Sequence, residues 1–145
     1  MKKEFTREEL QSKIEAWCAK SEHCEQEVRA KLRQWGCRNE EWENDILASL
    51  RTASFIDETR FCKAFVHDKS TFDGWGRMKI RMMLRSKHLE LSMIEEALKD
   101  INPEVYQQSL ERAIEKYGRE EREKSIRFAL QRGFEYDEIL EALDK

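Results

Sequence analysis

The sequence predicts an all-α protein of three tandem three-helix repeats, forming an elongated and curved array. Three observations carry that expectation. The 145-residue chain is 39% charged but holds five Gly and a single Pro, too few breakers for a loop-rich or linker-like chain. Its apolar residues recur at three- and four-residue steps, the period of one helix face. The same set of spacings returns along the chain, which is the mark of a repeat architecture.

The first repeat is read over 1–52. Thr6 and Glu9 form a capping box, in which the hydroxyl accepts from a free first-turn amide and the carboxylate reaches back. The helix they open buries Leu10, Ile14 and Trp17. Val28 and Leu32 mark a second helix that Gly36 stops, and Asn39 caps a third bearing Trp42 and Ile46. Trp17, Trp35 and Trp42 fit the apolar periodicity and are expected in the core.

The second repeat, 53–101, follows the same plan. Asp57 caps a helix with Phe61, Phe65 and Val66, and Gly74 and Gly76 separate it from one with Ile80 and Leu84. Ser92 with Glu95 reads as another capping box before Ile94 and Leu98. In the third repeat, 102–145, Asn102 caps and Pro103 takes the first helical position, where a missing N–H costs nothing. That helix carries Tyr106, Leu110, Ala113 and Tyr117. Gly118 and Gly133 then bracket Ile126 and Leu130, with Ile139 and Leu143 after a turn one residue shorter than its counterparts. The pairs Glu40/Glu41, Glu95/Glu96 and Glu120/Glu121 are placed near helix starts, where the dipole favours them. About nine helices result.

Composition excludes several function classes. No apolar run is long enough to span a bilayer and no secretory leader is evident, so a soluble cytoplasmic chain is expected. Cys18, Cys24, Cys37 and Cys62 lack CxxC spacing, and although His23 lies among the first three, reduced buried thiols are the reading rather than a metal site. His23, His67 and His88 fall in different parts of the repeat with no nucleophile or ligand partner, and are read as solvated or capping imidazoles. No HExxH, GxSxG or phosphate-binding glycine loop occurs, so no enzyme activity, cofactor or metal is expected.

The formal charge of -3 is unevenly spread. Between Asp73 and Glu90 there is no acid, while Arg77, Lys79, Arg81, Arg85 and Lys87 all fall there. On a helix, Arg77, Arg81 and Arg85 step along one flank beside the buried stripe of Ile80, Met83 and Leu84, with Trp75 at the entrance. Such a row suits the carboxylates of an acidic partner or a run of phosphates. Equally, it suits a solvated face with Trp75 tucked into the repeat core.

Residues 55–66, Phe-Ile-Asp-Glu-Thr-Arg-Phe-Cys-Lys-Ala-Phe-Val, followed by the glycine turn and Ile80-Arg81-Met82-Met83-Leu84-Arg85, resemble the central signature of the RecX family. Glu27 to Gly36 is similar to that family's first-repeat second helix, a basic Leu-bearing segment ending in Gly. Cys62 and His88 depart from the pattern, His88 standing where the other repeats have Gly or its neighbour. The resemblance implies a cytoplasmic, non-enzymatic helical array that binds the recombinase RecA and its DNA filament, limiting filament extension, ATP hydrolysis and strand exchange; a monomer is expected. The family carries no agreed contact residues, so the charge pattern supplies the candidate partner-binding residues: Arg60, Lys63, Trp75, Arg77, Lys79, Arg81, Arg85 and Lys87. The alternative is a protein that binds single-stranded DNA directly through the same basic helix, and weak DNA contact is compatible with either reading.

Overall fold

A computed structural model describes residues 4–145. Among them are nine helices and no strand: α1 (Arg7–Lys20), α2 (Glu25–Gln34), α3 (Glu40–Thr52), α4 (Glu58–Thr71), α5 (Arg77–Ser86), α6 (Leu91–Leu98), α7 (Pro103–Glu115), α8 (Arg122–Gln131) and α9 (Tyr136–Leu143). The chain divides into two compact units, at Phe61 and Cys62 inside α4. The first holds α1 to α3, each packed on the other two; the second holds α5 to α9, with α5 against α6 and α7, α8 and α9 mutually packed.

Helix starts follow the expected chemistry with one exception. Thr6 and Glu9 exchange hydrogen bonds of 3.1 Å each way at the head of α1. Asn39 accepts from the Trp42 amide, Asp57 from the Arg60 amide, and Asn102 from the amides of Glu104 and Val105, so each cap satisfies a first-turn donor. Ser92 does not cap. Glu90 is the N-cap of α6, which begins at Leu91, and the Glu95 side chain turns to Arg81 instead. Glu95 and Glu96 thus sit inside α6, not at its start.

One turn is built the same way in each repeat. At the end of α2 the Cys37 amide donates back to the Leu32 carbonyl and the Gly36 amide to that of Arg33. Leu89 and His88 do the same to Leu84 and Arg85 after α5, and Phe134 and Gly133 to Ala129 and Leu130 after α8. This pair of backward bonds is the Schellman closure, which requires a left-handed residue. Gly36 and Gly133 adopt φ of 96° and 99° without penalty, whereas His88 is held at 66° with a Cβ to accommodate. Replacing His88 with Gly is therefore expected to stabilise the protein by about 0.5–1 kcal/mol, the relief of strain outweighing the added freedom of the unfolded chain. Chemical denaturation reads this directly, and a lower midpoint for the variant would contradict it.

The third repeat corrects the expected register. Ile126 is half-buried and Leu130 is 42% exposed, while Ser125 and Ala129 are fully buried. With those two as the α8 core positions, the spacing to Ile139 and Leu143 equals that of Val28, Leu32, Trp42 and Ile46, and no shortened turn is needed. A hydroxyl is tolerated there because Ser125 donates to the Gly118 carbonyl at 2.7 Å, at the end of the preceding helical segment. Tyr117, expected on the buried face, is 43% exposed.

The first unit's core comprises Leu10, Ile14, Cys18, Val28, Leu32, Cys37, Ile46, Leu47, Leu50 and Ile56, with Trp17, Trp35 and Trp42 half-buried at its margin. Trp17 stacks on His23 at 3.5 Å. All four cysteines are buried, and burial pushes the Cys18 thiol up to about 11, against reactivity. No group of three or more His, Cys, Asp or Glu among the described residues is placed to hold a metal ion.

Candidate functional site

The start of α5 lacks both acids and a capping side chain, since Gly76 is its N-cap. Its free amides are satisfied from the third repeat instead. Met78 donates to the Gly133 carbonyl at 3.0 Å, Gly76 donates to the Arg132 carbonyl at 2.7 Å, and Arg77 donates through its backbone to the Tyr106 hydroxyl at 3.2 Å. Gly76 and Gly133 are in backbone contact, and a Cβ on either would overlap the other segment.

This seam claims part of the basic row. The Arg77 guanidinium lies 4.1 Å over the Tyr106 ring and 3.8 Å from the Glu138 carboxylate. Tyr106 donates its hydroxyl to Glu138 at 2.8 Å, and burial holds that phenol neutral by pushing its pKa far up. Arg81 grips Glu95 with both Nε and Nη2, and this hydrogen-bonded pairing holds the Glu95 carboxyl below its ordinary range. Arg77 and Arg81 therefore join helices within the protein, which periodicity alone does not reveal.

The remaining candidates differ in placement. Arg85 is exposed, with Nη1 reaching the Leu89 carbonyl at 3.4 Å. Lys79 lies 4.2 Å from the Trp75 ring centre and Lys69 lies 4.8 Å from it, while Phe65 meets that ring edge-on. Trp75 is thus half-buried among cations rather than sunk in the core. Lys87 is half-buried and Lys63 is exposed on α4. Arg60, in the first unit, binds both oxygens of Glu22 and donates to the Ser54 carbonyl at 2.9 Å, pinning the turn before α4.

The exposed α5 face also carries two residues that the charge pattern does not single out. Met78 is 51% and Met82 65% exposed, one turn apart, with Arg85 a further turn along the same side. Their signal in the sequence is an i, i+4 apolar pair on the face opposite Ile80 and Leu84. Flexible thioethers beside a guanidinium form an adaptable surface for protein contact.

Comparison with known proteins finds similarity to RecX proteins. Residues 57–98, which include α5, match the model of the RecX second three-helix domain. The regulatory protein RecX of Salmonella arizonae is 30% identical over 93 residues, covering 60% of this chain and 55% of that relative, so the chain spans about half the relative's length. The fold is shared with a crystal structure of regulatory protein RecX, at TM-score 0.83 and 23% identity over 96% of this chain and 73% of that one. It is shared too with RecX from Lactobacillus salivarius, at TM-score 0.75 and 19% identity over 95% of this chain and 96% of that one. No helix among the described residues is long and apolar enough to cross a membrane. The central segment thus matches a RecX domain, part of the chain is similar in sequence to a regulatory protein RecX, and the fold is that of RecX crystal structures.

Proposed function

We propose that the protein is a non-enzymatic negative regulator of RecA, acting as a cytoplasmic monomer whose three repeats, 1–52, 53–101 and 102–145, bind the recombinase on its DNA filament. Binding limits filament extension, ATP hydrolysis and strand exchange. The observation that supports a protein partner over a bare phosphate track is the composition of the exposed α5 face: Met78 and Met82 beside Arg85, with Arg77 and Arg81 committed to Glu138 and Glu95. A phosphate track would keep its cations free and gains nothing from exposed thioethers.

In this reading Lys79, Arg85, Lys87 and Trp75 make the contact, with Lys63 contributing, while Arg77 and Arg81 shape α5 and Arg60, held by Glu22, pins the turn before α4. The test is co-sedimentation with cognate RecA filaments on single-stranded DNA. The wild-type chain is expected in the filament pellet, and the triple variant Lys79→Glu, Arg85→Glu, Lys87→Glu is expected to lose at least about tenfold in affinity with unchanged helicity and melting, a loss of about 1.4 kcal/mol or more. Equal retention of the variant removes this face from the contact, and no retention of the wild type removes the partner.

A further inference from the structure

A second cationic feature lies in the second unit, away from the residues the sequence singled out. A pocket of about 440 Å³ is formed by the segment after α4, by α7 and the residue following it, and by α8 with its C-cap. Arg112, Lys116 and Arg132 line it. None of the three is paired with a carboxylate: Arg112 donates to the Ser109 hydroxyl at 3.3 Å, Lys116 lies 4.4 Å over the Phe128 ring, and Arg132 donates to the Asp73 carbonyl. Asp73 is the single acid in the lining, and Lys69 holds its carboxylate at 3.0 Å. The contrast with Arg77 and Arg81 is chemical. Those cations have their counter-charge at ion-pair distance inside the fold, whereas these three, among the described residues, have no carboxylate at that distance.

The same pocket displays an aromatic ring. Phe72 is 75% exposed, the most open large apolar side chain described. Its ring stands at about a right angle to that of His67, with centroids 5.9 Å apart, and its high exposure leaves ring surface open to a planar group. A cavity of this size with cations and an accessible ring provides the two elements that recognise a nucleotide: counter-charge for a phosphate ester and a surface on which a base stacks. A carboxylate peptide or a simple anion would use the cations and leave Phe72 in water.

We propose that Arg112, Lys116, Arg132 and Phe72 form a nucleotide-binding pocket, the cations holding a phosphate ester and Phe72 stacking the base. The unit bound is either a free nucleotide or one residue of a single strand, which share this chemistry. The proposal does not rest on RecA binding, and its test omits RecA.

The experiment titrates the full chain at low salt with dTMP and ATP by calorimetry, and with a fluorescein-labelled oligo(dT) by anisotropy. Saturable binding of dTMP or ATP identifies a free-nucleotide site, and binding of the oligonucleotide alone identifies a strand site. In either case the Arg112→Gln, Lys116→Gln double variant is expected to bind at least about tenfold more weakly. For the strand, its log-log salt slope should become shallower by about 0.7 for each phosphate that is no longer neutralised. Phe72→Ala, at a position whose exposure makes it harmless to folding, is expected to weaken binding about fivefold or more. Lys99→Gln, just after α6 and outside the pocket, is the control and should bind as the wild type does. No saturable binding of any of the three probes, or binding that survives both pocket variants undiminished, overturns the proposal.

Discussion

Gly133→Ala is expected to cost about 2–5 kcal/mol. Two costs combine. The backbone sits at φ +99°, where a Cβ costs about 1–2 kcal/mol. That Cβ would also overlap the Lys79 side chain, 2.7 Å from the Lys79 amide nitrogen and 2.9 Å from the Gly76 carbonyl, and overpacking of that kind costs about 1–3 kcal/mol. Gly36 separates the two contributions, because it has φ +96° but open space around it. Gly36→Ala should therefore lose only the conformational part, about 1–2 kcal/mol. Urea denaturation of the two variants beside the wild type checks this, and equal losses would show that the close approach between the α5 start and the α8–α9 turn is not formed. The functional consequence follows from geometry. The Gly133 carbonyl accepts from the first turn of α5, so a displaced turn shifts the helix that presents Met78, Met82 and Arg85.

In the first unit, the double variant Arg29→Ala, Arg33→Ala is expected to lose about 3–5 kcal/mol, the range seen when a buried charge is left without its partner. Glu43 is 3% exposed on the inner face of α3, and both its oxygens are spoken for: Arg29 donates to Oε1 at 3.1 Å and Arg33 donates to Oε2 at 3.1 Å. The guanidiniums reach water more easily than the carboxylate, since the Arg33 side chain is 59% and the Glu43 side chain 4% exposed. Removing the cations therefore strands the acid more severely than removing the acid strands the cations. Adding Glu43→Met to the double variant should recover most of the loss, because an apolar side chain of similar volume needs no partner. Melting of the double and triple variants decides it; a triple variant no more stable than the double would mean that lost packing, not an unpaired charge, was the cost.

Most of the fold is legible because its boundaries are written in local chemistry. Asn102 with Pro103, Asn39 and the Thr6–Glu9 pair act within one helical turn of themselves, so their role needs no knowledge of the rest of the chain. The departures share a different cause. Hydrophobicity alone favours Leu130 over Ala129 as a buried position, yet the space beside α7 takes small side chains, and Ser125 is made acceptable by carbonyls that no periodicity displays. Ser92 and Glu95 have capping-box spacing, but Arg81 from α5 takes the carboxylate. The basic row is visible as a count of charges. Its division into structural and available cations is not, because Glu138 and Glu95 reach it from other helices. The pocket of Arg112, Lys116 and Arg132 is invisible for the same reason, its residues being separated in sequence and gathered only by packing of α7 and α8.

The most direct measurement is DNA-dependent ATP hydrolysis by cognate RecA, followed as this chain is added. A regulator that binds the filament should slow hydrolysis progressively, with the effect present below one chain per RecA protomer, since one bound chain affects the growth of many. Hydrolysis unchanged even with the chain in excess would contradict a role as a negative regulator of RecA.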